Sequence, residues 1–69
     1  MRSNLRIARI KKKLSKKGIA KKIGISERMY TYLESGESDG SISVWQKLSS
    51  ILDESIDNLI IKEEEIDIK

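Results

Sequence analysis

The sequence predicts an all-α domain of five short helices, residues 1–60, followed by an acidic tail, residues 61–69. Three observations favour this fold class. The 69 residues contain no proline. Apolar residues recur at three- and four-residue spacing along most of the chain. Serines and glycines stand where such helices should begin and end.

The first helix is predicted from an N-cap at Asn4 to about Lys13, because an asparagine side chain can accept a hydrogen bond from the free N–H groups of the first turn. Its inner face should be broad and apolar, with Leu5, Ile7, Ala8 and Ile10 on it.

Ser15 is the predicted N-cap of a second, shorter helix. Gly24 should end that helix, because glycine readily adopts the left-handed conformation found at helix C-termini. Ile25 should then anchor the turn in the core. The inner face of the second helix comprises Ile19, Ala20 and Ile23.

A third helix is expected between an N-cap at Ser26 and a terminal glycine at Gly36, followed by a loop over residues 35–40. Met29, Tyr30 and Leu33 recur at helical spacing within it. Tyr30 is expected in the core, where its hydroxyl needs a hydrogen-bond partner or a route to solvent.

Ser41 and Ser55 are the predicted N-caps of the last two helices, of which the fifth is a single turn. The residues expected on their inner faces are Ile42, Trp45, Leu48, Ile51 and Leu52 in the fourth helix and Ile56 and Leu59 in the fifth.

The tail that follows, IIKEEEIDIK from residue 60 onward, has two interpretations. Ile66 and Ile68 alternate with acids as an edge strand would, whereas the three consecutive glutamates favour coil. We therefore expect disorder, or alternatively a packed segment that joins two subunits.

The chain has neither cysteine nor histidine. It therefore lacks a disulfide framework, the common zinc ligands and the usual nucleophile and base pairs of enzymes. We expect a non-enzymatic protein with no cofactor, no metal and no small-molecule substrate. Because no signal peptide or membrane-spanning stretch is recognisable, a soluble cytoplasmic protein is expected.

Charge is divided unevenly between the two halves of the chain. Residues 1–34 hold 11 basic and 2 acidic side chains, whereas residues 35–69 hold 3 basic and 9 acidic ones. The N-terminal half is thus suited to a polyanion, either nucleic acid or an acidic membrane surface, and two solvated faces without a partner are the alternative.

The stretch LSKKGIAKKIGISERMYTYLESG, residues 14–36, resembles the phage repressor and Cro-type helix-turn-helix family, also called XRE-like. The resemblance extends to the first helix and through the fifth. It includes Leu5, Ala8, Arg9, Ala20, Gly24, Ile25, Glu34, Gly36 and Leu59. It implies a compact lambda-repressor-like domain in which residues 26–34 form a recognition helix that enters the major groove of DNA.

The resemblance also implies roles for individual residues. Glu27, Arg28 and Tyr32 would face base edges, with Arg28 suited to guanine and Glu27 to cytosine. Tyr32 would bond a base or phosphate, or pack on a thymine methyl group. The other residues expected near DNA are Met29 and Thr31 on the same helix, Ser26 beside a phosphate, and Lys16 and Lys17 at the second helix's phosphate-binding N-terminus.

Arg9 and Glu34 would form an ion pair that ties the first helix to the end of the recognition helix. Glu27 and Arg28 are alternatively solvated surface charges. Most other basic residues are expected to be solvated and to strengthen nonspecific binding, namely Arg2, Lys11, Lys12, Lys13, Lys21 and Lys22.

Several positions depart from the family pattern. Gly18 lies inside the second helix, where glycine is about 1 kcal/mol less favourable than alanine. The loop after the recognition helix is often basic in the family but here contains Glu37 and Asp39. Lys16 replaces a frequent glutamine, and Glu54 replaces a common apolar residue between the last two helices.

These features predict a transcriptional regulator that binds double-stranded DNA, as a repressor of a phage or mobile element. One recognition helix contacts few base pairs, so a homodimer is expected. Its interface would involve the fourth and fifth helices, Ile66 and Ile68, or Trp45, although a tryptophan in this position is more often a core residue. The alternative is an antirepressor or antitoxin-like module of the same fold with a regulatory protein partner. Neither reading involves a membrane, and both place the protein in the cytoplasm, near the bacterial nucleoid.

Overall fold

A computed structural model describes residues 1–63 and contains five α-helices in that range. The helices are α1 Ser3–Lys11, α2 Lys16–Ile23, α3 Glu27–Ser35, α4 Ile42–Leu52 and α5 Ile56–Leu59. The predicted all-α fold of five helices is therefore confirmed.

Serine side chains begin four of the helices. The hydroxyl oxygens of Ser15, Ser26, Ser41 and Ser55 each accept a hydrogen bond from the backbone N–H three residues later, at 2.9, 3.0, 3.3 and 3.1 Å. These four predicted N-caps are confirmed. The bonds satisfy N–H groups that have no partner inside the helix, so each start position is encoded locally.

The predicted N-cap at Asn4 is wrong. α1 begins at Ser3, and its N-cap residue Arg2 makes no side-chain capping bond. The Asn4 amide instead donates to the backbone and side-chain oxygens of Asn58, both at 3.1 Å. Asn58 in turn donates to the Glu54 carboxylate at 3.0 Å. A polar network between α1 and α5 thus uses the side chain that would otherwise cap the helix.

Eleven buried apolar residues form a single core between the five helices. They are Leu5, Ala8, Ile19, Ala20, Ile23, Tyr30, Leu33, Trp45, Leu48, Leu52 and Leu59. Trp45 is 2% exposed and its indole N–H donates to the carbonyl of Asp39 at 2.7 Å. Trp45, for which a core position was the alternative to an interface, is enclosed in the core and is not available for a dimer interface.

Three isoleucines that were expected on inner faces are exposed. Ile7 and Ile10 are 51% and 52% exposed, because the core side of α1 is already occupied by Leu5 and Ala8 and the helix turns about 100° per residue. Ile42 is 76% exposed. It is the first residue of α4, and side chains tilt toward the helix N-terminus, so it extends past the packed layer.

Arg2, expected as a solvated charge, is only 1% exposed. Its Nη1 donates to the carbonyls of Leu33 and Ser38 at 2.6 and 2.8 Å, and its Nε donates to that of Ile60 at 3.1 Å. Its Cζ lies 4.9 Å from the centre of the Trp45 ring. The expectation was wrong because carbonyls from three distant segments replace the water that a solitary charge would need.

Residues that follow α5 lie against the start of the chain. Met1 and Glu63 exchange two backbone hydrogen bonds, at 2.8 and 3.2 Å. Lys62 Nζ lies 2.9 Å from an oxygen of Asp39. The predicted tail contacts of Ile66 and Ile68 lie outside the described residues.

Candidate nucleic-acid interface

A tight turn joins α2 to α3 and sets the angle between them. Gly24 has a φ of 81°, in the left-handed region. The N–H groups of Gly24 and Ile25 both donate to the carbonyl of Ala20, at 2.9 and 3.0 Å. A Cβ at Gly24 would meet no atom within 4 Å, so glycine is needed for its backbone conformation rather than for space. Ala20 is buried, and its small side chain lets the two helices approach closely.

One side of α3 is buried and the other faces outward. Tyr30, Leu33 and Glu34 are buried. At about 3.6 residues per turn, the opposite side carries Arg28 and Tyr32. Arg28 is exposed and Tyr32 is half-buried. The outward side of α3 therefore carries these two predicted base-contacting residues next to each other.

Arg28 and Tyr32 also contact each other. Arg28 Nε donates to the Tyr32 hydroxyl at 2.9 Å. The Arg28 Cζ lies 5.7 Å from the centre of the Tyr32 ring, within the range of a cation–π contact. The contact leaves the two terminal guanidinium nitrogens without a partner among residues 1–63.

Glu27, Thr31 and Ser26 flank this pair. Thr31 Oγ1 donates to the carbonyl of Glu27 at 3.0 Å, so its hydrogen is used within the helix. The Glu27 side chain is exposed. Ser26 Oγ accepts from the Met29 N–H at 3.0 Å and keeps its own hydrogen for another acceptor.

Met29 lies at the edge of the outward face. It lines a groove of about 340 Å³ together with Ile25 and Val44, between α3 and the start of α4. Its Sδ accepts a weak hydrogen bond from Ser38 Oγ at 3.7 Å. Met29 is therefore less central to the outward face than the other candidate residues.

Ser35 is an exposed residue of the outward face that sequence reasoning missed. It follows Arg28 by seven positions and so lies on the same side of α3. Its Oγ donates to the carbonyl of Tyr32 at 3.1 Å. Its spacing from Arg28 and Tyr32, at seven and three residues, is the sequence pattern that could have placed it on this face.

Lys16 and Lys17 occupy the first turn of α2, where N–H groups and the helix dipole attract anions. Lys16 is half-buried and Lys17 is exposed. Within residues 1–63 the basic side chains in ion pairs are Arg2, Arg9 and Lys62. Neither of the two lysines has a carboxylate partner in that range, so their charge is not neutralised there.

A buried cluster lies on the inner side of α3. Arg9 Nε is 2.7 Å from Glu34 Oε2, and both side chains are at most 10% exposed. The Tyr30 hydroxyl donates to the same oxygen at 2.6 Å, and Arg9 Nη1 donates to the carbonyl of Leu14 at 2.7 Å. The hydroxyl of Tyr30 thus has the partner that its burial requires, and the cluster ties α1 to the end of α3.

The surroundings of this cluster raise the pKa values of Tyr30 and Arg9. Burial raises the pKa of Tyr30 well above its ordinary value, and the carboxylate of Glu34 raises it further. Burial alone would lower the pKa of Arg9, but the hydrogen bond and charge of Glu34 outweigh it and raise that pKa. Arg9 is therefore charged and Tyr30 neutral at neutral pH.

The loop after α3 is acidic and partly fixed. Asp39 is 79% exposed, and the hydrogen bond and charge of Lys62 lower its pKa below the ordinary value. Gly40 has a φ of 69°, and a Cβ there would approach Leu33 Cδ2 to 2.8 Å. The backbone of this loop is thus held close to the C-terminal end of α3.

A family model described as "Helix-turn-helix" matches residues 5–59, which include all of the candidate residues described above. The chain belongs to the helix-turn-helix family. It is of the XRE/Cro type, a family of DNA-binding transcription regulators whose members are not typically enzymes. Family membership implies double-stranded DNA as the partner of this helix-turn-helix protein.

No curated protein and no solved structure matches the chain. Within residues 1–63, no helix combines the length and apolar character needed to cross a membrane.

Proposed function

We propose that this helix-turn-helix protein is a sequence-specific repressor that reads the major groove with α3. The observation that carries the proposal is the placement of Arg28 and Tyr32 side by side on the outward face of α3, opposite its buried side. A helix presented in this way can enter the major groove while α2 crosses the phosphate backbone.

Arg28 is the residue best suited to read a base. Its two terminal nitrogens can donate to O6 and N7 of a guanine, a contact that contributes about 1–3 kcal/mol of discrimination. Glu27 can accept from a cytosine amino group. Thr31 and Met29 lie beside these residues and add contact surface.

Phosphate contacts position the helix without reading sequence. Lys16 and Lys17 are at the N-terminus of α2, and Ser26 can donate its hydroxyl hydrogen to a phosphate oxygen. Because these contacts displace counterions, we expect affinity to fall steeply with salt concentration.

The protein acts as a homodimer on a two-fold symmetric site in this proposal. A nine-residue recognition helix reads only a few base pairs, and a second copy one turn along the duplex, roughly 34–36 Å away, supplies the remaining specificity. Ile60 and Ile61 are 39% and 48% exposed after α5, which favours an interface on that side of the domain. Binding of the dimer over a promoter would block transcription. In this proposal the protein regulates genes of a phage or mobile element.

A second candidate function is a protein-binding module of the antirepressor or antitoxin type. The acidic loop after α3 favours it, because Glu37 is an exposed carboxylate with no ion-pair partner among residues 1–63 and would repel phosphates. In this alternative, Arg28 contributes nothing to DNA specificity.

Selection of bound duplexes from a random DNA pool distinguishes the two functions. The wild-type protein, Arg28→Ala and the control Arg6→Ala are run in parallel at moderate salt. Arg6 is an exposed arginine on α1, so its substitution removes the same charge from another surface. We expect a symmetric site with half-sites about one turn apart, relaxed at one symmetric position by Arg28→Ala only.

Weak, salt-sensitive binding without enrichment of any site would contradict the proposal and favour the protein-binding module. Sedimentation of the protein on the selected duplex tests the dimer, and two copies per site are expected. A single bound copy would contradict that part of the proposal. A promoter that carries the site ahead of a reporter gene tests repression, and higher expression with the protein present would contradict it.

A further inference from the structure

We infer that Tyr32 is a positioning residue for Arg28. Tyr32 holds the guanidinium so that its two terminal nitrogens face a guanine, and Tyr32 does not itself read a base. This inference rests on the proposed function, since it requires α3 to lie in the major groove.

The geometry of the pair determines which atoms of Arg28 remain free. Residues four apart lie on the same side of a helix, and the Arg28 Nε is bound to the Tyr32 hydroxyl at 2.9 Å. The nitrogens Nη1 and Nη2 therefore remain to donate. They form the pair of parallel donors that matches the two acceptors, O6 and N7, on the major-groove edge of guanine.

The contact restricts the motion of an otherwise free side chain. An exposed arginine has many rotamers, and binding that selects one of them loses conformational entropy. Tyr32 is half-buried, so part of its side chain packs against the protein, and its ring lies 5.7 Å from the Arg28 Cζ. Among residues 1–63, no carboxylate forms an ion pair with Arg28 that would draw it elsewhere.

Such a restraint matters more for specificity than for affinity. A freely moving arginine can bind a nearby phosphate, and this contact carries no sequence information. A guanidinium whose Nε is bound by Tyr32 presents its terminal donors in one direction. At that position guanine offers two acceptors, whereas adenine offers one acceptor and one donor. By orienting the Arg28 guanidinium, Tyr32 thus increases the preference of Arg28 for guanine over adenine.

The variant Tyr32→Phe tests this role because it removes the hydroxyl and keeps the ring. The dissociation constants of the selected duplex and of a duplex with A·T in place of the G·C pair read by Arg28 are measured by fluorescence anisotropy. The wild-type protein should prefer guanine by about tenfold or more. Tyr32→Phe should reduce this preference at least about threefold at that base pair and leave the other positions unchanged.

A double-mutant cycle shows whether Tyr32 acts through Arg28. In the Arg28→Ala background, Tyr32→Phe should cause no further change in base preference. Ser50→Ala is the matched control, because it removes an exposed hydroxyl from α4 and leaves the outward face of α3 unchanged. This control should keep the full preference for guanine.

Two outcomes overturn the inference while the proposed function stands. In the first, Tyr32→Phe keeps the guanine preference of the wild-type protein. In the second, it alters preference at a base pair other than the one read by Arg28, so that Tyr32 reads its own base. If the wild-type protein selects no site at all, the proposed function fails and the inference fails with it.

Discussion

Replacement of Arg2 by methionine should unfold much of the protein. The side chain of Arg2 is buried and donates to the carbonyls of Leu33, Ser38 and Ile60. Methionine has a similar length and fills most of the same space, but it has no donor. The substitution therefore leaves these carbonyls without this partner and keeps the packing nearly intact.

The size of the effect follows from these contacts. A hydrogen bond that involves a charged group contributes about 1.5–3 kcal/mol net, and bonds from one side chain are not independent. We expect a total loss of about 3–5 kcal/mol. A domain of this size has only about 3–5 kcal/mol of stability. The ion pair of Arg2 with Asp39 adds little, because the carboxylate is 79% exposed and 3.4 Å away.

Urea denaturation followed by the fluorescence of Trp45 measures the loss. Trp45 is the single tryptophan, is buried, and lies 4.9 Å from the Arg2 Cζ. The control Arg6→Met removes an exposed arginine from α1, and Asp39→Asn removes the weak ion pair with Arg2 together with that of Lys62. Both should have much smaller effects than Arg2→Met. A midpoint for Arg2→Met within experimental error of the wild-type midpoint would refute the reasoning.

Three further predictions concern the buried cluster and the turns. The folded state raises the pKa of Tyr30. The stability that this shift contributes is complete below the unfolded pKa of about 10 and is lost as the pH rises above it. In urea titrations at several pH values, Tyr30→Phe should therefore lose less stability at alkaline pH than the wild-type protein. An identical alkaline slope in the two proteins would disprove this. Arg9→Met should lower the free energy of unfolding by about 3–5 kcal/mol in urea denaturation, because it leaves the buried Glu34 carboxylate without its partner. The double variant Arg9→Met with Glu34→Gln should be more stable than Arg9→Met, because it contains no unpaired buried charge. A double variant less stable than Arg9→Met would argue against this explanation. Gly24→Ala should lower the free energy of unfolding by about 1–2 kcal/mol through backbone strain alone. Gly40→Ala should lower it further, because its Cβ would also lie 2.8 Å from Leu33 Cδ2 in the core. Equal decreases in melting temperature would contradict this difference.

Features that depend on neighbouring residues could be predicted from the sequence. The N-caps at Ser15 and Ser26 use N–H groups three residues away, and Gly24 adopts its left-handed conformation within a single turn. The partnership of Arg9 with Glu34 was implied by family resemblance rather than by local chemistry. The contact between Arg28 and Tyr32 also lies within one helix, but its exposure depends on which side of α3 is buried.

Features that depend on distant residues could not be predicted in this way. Periodicity placed Ile7 and Ile10 near the core, yet α1 has room on its buried side for only one stripe, and these two residues face outward. Asn4 was predicted as an N-cap, but its side chain donates instead to Asn58, which follows it by 54 residues and is brought to it by α5.

Local sequence was sufficient to predict the start of four of the five helices, the turn between α2 and α3, and the family of the protein. The burial of Arg2 became apparent from the folded arrangement alone. Arg2 has the spacing of an inner-face residue relative to Leu5, but a lone arginine near the start of a chain normally remains in water. Its burial is favourable only because the folded chain brings three carbonyls and an indole ring around one guanidinium. These groups lie up to 58 residues from Arg2 along the sequence.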